Sequence, residues 1–285
     1  MNLVSAIITT HNRCNLLRIA IESVLCQTYT DMECIVIDDA STDDTSQICK
    51  EYKVRYIYIP PEESRGGNYA RNLGIQVSQG DYCAFLDDDD YWFPTKIEKQ
   101  VELIEEKKCD CVYCLRLYEK YSNGKLLSKE KEKLTYKWEG NISKIIFRHY
   151  FTSTSCLLTT KKILLEIGGF DEDLYKIQEY ELLIRLSQVT EIYYCHGEPL
   201  VGYRIDMTDK QRISNDPLRL PIARRYIDNK HAYLLKNIGW YNKFLYRDWM
   251  FASLYRHACK SGGKDKYWLA FYYYSIHSFR RLIGG

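Results

Sequence analysis

The chain of 285 residues is 46% hydrophobic and 27% charged, proportions that fit a folded globular protein and exclude a disordered or low-complexity chain. Its net charge of +2 excludes the uniformly basic surface of a general nucleic-acid binder. No apolar run reaches the roughly 18 residues needed to span a bilayer, and no internal repeat is present.

The charge is unevenly spread. Residues 1–216 hold 27 Lys/Arg against 35 Asp/Glu, a net of −8, whereas residues 217–285 hold 13 against 3, a net of +10. That asymmetry predicts a separate C-terminal unit with an anionic partner. The eleven cysteines are odd in number and scattered, and the N-terminus opens directly into a strand with nothing resembling a signal peptide. Reduced thiols and a cytoplasmic location are expected. Cys109, Cys111 and Cys114 have no fourth ligand at zinc-like spacing and are expected as buried thiols on strands.

In chain order, Leu3–Thr9 reads as a buried strand, followed by a helix for which Asn12 is the expected cap and whose Leu16, Leu17, Ala20, Ile21, Val24 and Leu25 recur at helical spacing. Glu33–Asp39 is a second strand, and Ser41–Asp44 suits the start of a helix through about Tyr52. Val54–Ile59 makes a third strand, closed by Pro60 and Pro61, and Gly66–Gly67 leads into a helix over Asn68–Val77. Tyr82–Leu86 is the fourth strand, with Pro94 expected in the first turn of the helix that follows. This alternation predicts a mostly parallel sheet with helices on both faces.

Beyond residue 110 the rhythm loosens. Cys111–Tyr121 and Lys125–Tyr136 flank Ser122-Asn123-Gly124 as a hairpin. A short helix at Ile142–Phe147, a strand at Ser155–Thr160 and a helix ending at Gly168-Gly169 follow, then a helix at Glu179–Leu186 and strands at Glu191–Tyr194 and Leu200–Tyr203. Ile205–Asn215 is polar and aperiodic and reads as a mobile loop, and three helical segments are expected over 217–236, 241–259 and 264–282.

The strand Tyr82–Leu86 runs into Asp87-Asp88-Asp89-Asp90. Four adjacent carboxylates repel one another, and a divalent cation among them relieves that repulsion. Thr9-Thr10-His11 and Asp38-Asp39 end two other strands on the same expected edge, where open α/β sheets bind ligands.

With these segments in place, Val4–Asn12, Ile35–Thr45, Ala70–Ile75 and Phe85–Asp90 resemble, in order and spacing, the family 2 glycosyltransferases. The resemblance covers about residues 1–205. It implies the GT-A fold, a nucleotide-sugar donor (a UDP-sugar), Mn²⁺ or Mg²⁺ as cofactor, and inversion at the anomeric carbon. Thr9, His11 and Asp39 would line the uridine pocket, Arg71 would lie near base and diphosphate, Asp87 would face the ribose, and Asp89 would hold the metal. Asp88 occupies a position that is usually small and polar, which leaves the choice of ligand open between Asp88 and Asp89. The family's catalytic base follows a Gly-Gly-Phe-Asp segment, present as Gly168–Asp171; where the usual pair is Glu-Asp this chain has Gln178-Glu179, so the role passes to Glu179, with Glu181 as the fallback.

The expected organisation is thus a catalytic domain over 1–216, divided into a nucleotide-binding half (1–110) and an acceptor-binding half (111–216), plus a basic, aromatic helical tail over 217–285. Lys210 and Arg212 are candidates for a loop that closes on the diphosphate. Acceptors are expected among cell-surface glycans, lipid-linked sugars and glycoproteins. Two other functions fit a sheet edge of this kind: a nucleotidyltransferase, against which Thr10–Asn15 lacks the glycine-rich loop, and a non-catalytic nucleotide-sugar-binding subunit, suggested by Gln178-Glu179. The tail, with 16 aromatic residues, is open between an anionic membrane on the inner face of the cell, a homo-oligomer interface and packing on its own domain.

Overall fold

A computed structural model describes residues 2–133, 138–148, 150–208 and 219–246. They fall into two compact units: the first gathers 2–133, 138–143, 151–173 and 178–208, and the second 144–148, 150, 174–177 and 219–246.

The first unit is built on a seven-stranded sheet of order β10-β6-β9-β4-β1-β2-β3. Its strands are β1 (Val4–Thr10), β2 (Met32–Asp39), β3 (Arg55–Ile59), β4 (Tyr82–Asp87), β6 (Cys111–Tyr113), β9 (Leu157–Thr160) and β10 (Ile192–Tyr194). Strand β1 pairs in parallel with both β2 and β4, and β2 in parallel with β3, so these four carboxyl ends share one edge. Strand β9 runs antiparallel between β4 and β6. The mostly parallel sheet expected from the sequence is therefore present, and the near-continuous apolar runs of β1 and β4 reflect burial on both faces.

Helices α1 (Cys14–Leu25), α2 (Thr45–Tyr52), α3 (Gly67–Val77), α4 (Lys96–Lys107), α5 (Lys161–Glu166) and α6 (Gln178–Leu186) complete the unit. Val4, Ala6 and Ile8 of β1 pack with Leu17, Ala20, Ile21 and Val24 of α1 in one core. On α3, Gly74 lets the helix sit directly on the sheet, since a Cβ there would meet Ile7 Cγ2 at 2.4 Å.

A second sheet of order β5-β11-β7-β8 contains β5 (Tyr91–Trp92), β7 (Arg116–Ser122), β8 (Lys125–Lys131) and β11 (Val201–Asp206). The expected hairpin is present, its turn made by Asn123 and Gly124 at φ 49° and 74°. The single strand expected over Cys111–Tyr121 is instead two, β6 in the large sheet and β7 in the small one. Three further expectations shift. Pro94 precedes α4, which starts at Lys96 behind the cap Thr95. The helix expected over Ile142–Phe147 is a single 3₁₀ turn, Ile146–Arg148. Strand β11 extends to Asp206, into the segment expected as a loop.

In the second unit, α7 (Arg219–Lys230) and α8 (Ala232–Asn237) divide the expected 217–236 helix, and residues 240–246 are helical after Gly239 at φ 79°. The 264–282 segment, Lys210 and Arg212 lie outside the described residues. Among the described residues no helix is long and apolar enough to cross a membrane.

Candidate active site

The parallel register brings the polar strand ends together: Thr9 faces Ile37 on β2 and Asp87 on β4, and Thr10 faces Asp38. Between β1 and α1 the chain turns through Asn12 at φ 53°. Asn12 does not cap α1 as expected, because its Oδ1 accepts from the Thr42 N–H at 2.7 Å and so ties the β1 loop to the β2 loop. The reciprocal contact comes from Asp43, whose Oδ2 accepts from the Cys14 N–H at 2.9 Å and satisfies the first turn of α1. His11 Nδ1 donates to the Asp39 carbonyl at 2.5 Å, and its Nε2 accepts from Asn12 Nδ2 at 3.0 Å.

The two aspartates ending β2 differ sharply. Asp38 is fully engaged: Oδ1 accepts from the Ser41 N–H at 2.8 Å and Oδ2 from the Tyr56 hydroxyl at 2.7 Å. Asp39 is 9% exposed, and among the described residues its Oδ1 is a buried acceptor without a donor. A buried carboxylate oxygen left open in this way is costly unless a ligand N–H or O–H completes it.

The four carboxylates after β4 are sorted by a turn in which the Asp90 N–H donates to Asp87 O at 3.0 Å. Asp87, Asp89 and Asp90 can each bring one oxygen within 4.8 Å of the others. Asp88 is bonded instead to β1 and the loop after it: Oδ2 accepts from Thr10 Oγ1 at 2.8 Å and Oδ1 from Arg13 Nη1 at 3.0 Å. Arg13 Nη1 also stands 3.4 Å from Asp89 Oδ2. Burial pushes the Asp88 carboxyl up to about 7 against the pull of Arg13. Asp90 is also raised well above the usual carboxylate range, by burial and then by Asp89 and Asp87. It is held by Ser155 Oγ at 2.6 Å and the Arg204 N–H at 3.2 Å. Three carboxylates with hard oxygen donors suit Mg²⁺ or Mn²⁺. The motif points to Asp89 and leaves Asp88 open; Arg13 and Ser155 carry no signal beside it, because they meet Asp88 and Asp90 across 75 and 65 positions.

Arg71 on α3 is buried, and its Nη2 donates to Asp87 Oδ1 at 2.6 Å. Its guanidinium lies over the Phe170 ring, 5.5 Å from the centroid, and Phe170 meets Phe85 of β4 edge-on at 5.0 Å. The Gly168–Asp171 segment is fastened to α3 by three bonds. Asn72 Nδ2 donates to Phe170 O at 2.8 Å, the Phe170 N–H donates to Asn72 Oδ1 at 2.7 Å, and Asn68 Nδ2 donates to Asp171 O at 2.7 Å. Gly169, at φ 67°, is required there twice over, since a Cβ would also meet Asn72 Oδ1 at 2.4 Å.

Glu179 and Glu181 both lie buried in the first turn of α6. Glu181 is gripped by Arg185, with Nε 2.9 Å from Oε1 and Nη2 2.6 Å from Oε2. It is thereby committed to a buried ion pair. Ile177, just before α6, has φ 54°, a costly conformation for a β-branched residue and one that concentrates at functional sites.

The chain is similar to an uncharacterized glycosyltransferase of Rickettsia prowazekii, 35% identical over 221 residues, covering 71% of this chain and 64% of that one. It is also similar to the UDP-Glc:alpha-D-GlcNAc-diphosphoundecaprenol beta-1,3-glucosyltransferase WfaP of Escherichia coli, 43% identical over 109 residues, covering 38% and 43% of the two chains. The chain thus spans about 64% of the length of the R. prowazekii relative and less of WfaP. Among solved structures, S. aureus TarS 1-349 in complex with UDP superposes with a TM-score of 0.63 at 18% identity, over 91% of this chain and 72% of that one. The profile of glycosyl transferase family 2 matches residues 5–168, more than half of the sequence, and the chain belongs to that family with the GT-A fold.

Proposed function

We propose that this chain is a metal-dependent, inverting glycosyltransferase that moves a sugar from a UDP-sugar to a hydroxyl of a lipid-linked or other cell-surface glycan acceptor. The observation that carries the reading is the convergence of Asp87, Asp89 and Asp90 at the strand edge. Family membership over residues 5–168 supports sugar transfer over nucleotidyl transfer. WfaP, whose name specifies UDP-Glc and a diphosphoundecaprenol-linked acceptor, supports the donor and the acceptor class.

In this reading Asp39 Oδ1, the open buried acceptor, takes the N–H of the uracil ring, with Thr9 and His11 beside it. Arg71 orients Asp87 toward the ribose through their 2.6 Å contact. Asp89, with Asp87 and Asp90, would hold a divalent cation; Asp88, engaged by Thr10 and Arg13, positions the loop. Bound there, a divalent cation would supply Lewis acidity toward the negative charge of the leaving diphosphate. Glu179 takes the proton of the acceptor hydroxyl as that oxygen attacks the anomeric carbon from the face opposite the diphosphate, which inverts the centre. The Glu181–Arg185 pair supports Glu179 over Glu181 as the base. Lys210 and Arg212, the candidates for closing on the diphosphate, lie outside the described residues.

The test is donor hydrolysis and UDP release from UDP-glucose and UDP-N-acetylglucosamine, with and without Mn²⁺. UDP release that requires Mn²⁺ is expected. Nucleotide binding with no turnover for any nucleotide sugar would instead support a non-catalytic subunit, the reading that Gln178-Glu179 raises.

A further inference from the structure

The second unit leaves large aromatic side chains in solvent. Trp240 is 81% exposed, Tyr233 77%, Phe244 61% and Tyr241 54%. Trp240 and Phe244 stand four positions apart on the 240–246 helix and so share a face. The Tyr241 ring lies 5.8 Å from that of Trp240. Tyr233 lies on α8, one Gly239 turn away. Aromatics this exposed are unusual on a surface that meets only water, and a cluster of them marks an interaction site.

Their surroundings are basic. Residues 219–246 carry six Lys/Arg and one Asp, a net of +5, and that Asp228 is buried, accepting from the Tyr246 hydroxyl. The exposed carboxylates that would favour a neutral protein partner are therefore missing from this described stretch. Lys236 is exposed next to the patch, and Lys243 is tied back to it by donating Nζ to Lys236 O at 2.9 Å.

We infer that the Tyr233–Phe244 surface is a membrane-interface patch that seats on anionic phospholipid. The side-chain chemistry selects this occupant. Trp and Tyr favour the headgroup boundary, where one end of the ring is apolar and the other hydrated, while each nearby Lys or Arg gains from the negative surface potential. A self-associating face would bring these lysines against their own copies and would need acidic counterparts. This inference concerns the second unit and stands apart from the chemistry proposed for the strand edge.

The experiment is co-sedimentation of the full chain with vesicles of phosphatidylcholine alone and of phosphatidylcholine with about one-third phosphatidylglycerol, at low and high salt. Binding only to the phosphatidylglycerol vesicles, weakened at high salt, is expected. The double variant Trp240→Ala/Phe244→Ala should lower it about tenfold, and Lys236→Glu about fivefold. All three side chains are exposed, and unchanged circular dichroism and UDP-sugar hydrolysis would show that folding and the strand edge are intact. Absence of binding, or binding equal in the wild type and the double variant, would overturn the inference. So would a concentration-dependent dimer that the double variant dissociates while vesicles do not compete, which would assign the patch to a second copy.

Discussion

Asn72 and Phe170 exchange two hydrogen bonds, side-chain amide to carbonyl at 2.8 Å and backbone N–H to amide oxygen at 2.7 Å. A residue on α3 thereby fixes a loop 98 positions further along. The same loop presents Phe170 to Arg71, which in turn holds Asp87, so Asn72 sets the strand-edge carboxylate without touching it.

Asn72→Ala leaves the Phe170 N–H and carbonyl unpaired in a buried setting and should destabilise the protein by about 2–4 kcal/mol. Urea unfolding monitored by circular dichroism measures this. A shift under about 0.5 kcal/mol would mean that water replaces the amide.

Asp89→Ala and Asp90→Asn should each abolish Mn²⁺-dependent UDP release, a loss of several kcal/mol in transition-state stabilisation. Asp88→Asn should retain much of it, because Asp88 is bonded to Thr10 and Arg13 and lies outside the three-carboxylate cluster. Kinetics with Mn²⁺ titrated after EDTA treatment distinguishes them. An Asp88 variant as inactive as Asp89→Ala would reassign the ligand.

Glu179→Gln should lower turnover by roughly 10²-fold to 10⁴-fold with nucleotide binding unchanged. Glu181→Gln should act on stability instead, since it leaves Arg185 without its buried counter-charge. Turnover and urea midpoints on the two variants should therefore separate cleanly; the opposite pattern would move the base to Glu181.

Lys96 gives a pH dependence. It is fully buried, donates Nζ to Gln100 Oε1 at 2.7 Å and lies 4.1 Å from the Trp92 ring centroid. Burial lowers its ammonium from 10.5 to about 8. The unfolded chain holds this proton up to about 10.5 while the folded chain releases it near 8, so between those values the unfolded state binds more protons and the contribution of Lys96 to stability rises with pH. Below about 8 its burial costs the fold about 3 kcal/mol. Lys96→Met should flatten the rise between pH 8 and 10 relative to the wild type, as measured by urea unfolding across that range. Parallel curves for the two proteins would contradict it.

The sequence reveals those parts of the fold whose cause is local. The apolar runs of β1, β2 and β4 and the helical spacing of α1 and α4 are visible because each element's own residues determine it. The division of Cys111–Tyr121 between two sheets is invisible, since one continuous run serves β6 and β7 alike. The same limit applies at the site. Thr9, Asp39, Arg71 and Asp87–Asp89 stand out as candidates from their motifs, but four consecutive aspartates look alike until the fold bonds Asp88 to Thr10 and Arg13 and brings Asp87, Asp89 and Asp90 together. Ser155 carries no signal at all, because its contact with Asp90 spans 65 positions.

The antiparallel placement of β9 also bears on the order in which the sheet is assembled. Strands β1 to β4 lie side by side in the order 4-1-2-3 and are all synthesised by residue 87, so their pairing can begin early. Strand β6 reaches β4 only through β9, and β10 only through β6. The far side of the sheet must therefore wait until residues 157–160 leave the ribosome. Until then β4 presents an unpaired edge, and its acidic end lacks the Ser155 bond. Closing such distant pairs is slow, and open strand edges attract other chains meanwhile. Nascent chains stalled before residue 157 should be the aggregation-prone species, and the interval from β4 to β9 the one in which a chaperone has most to do.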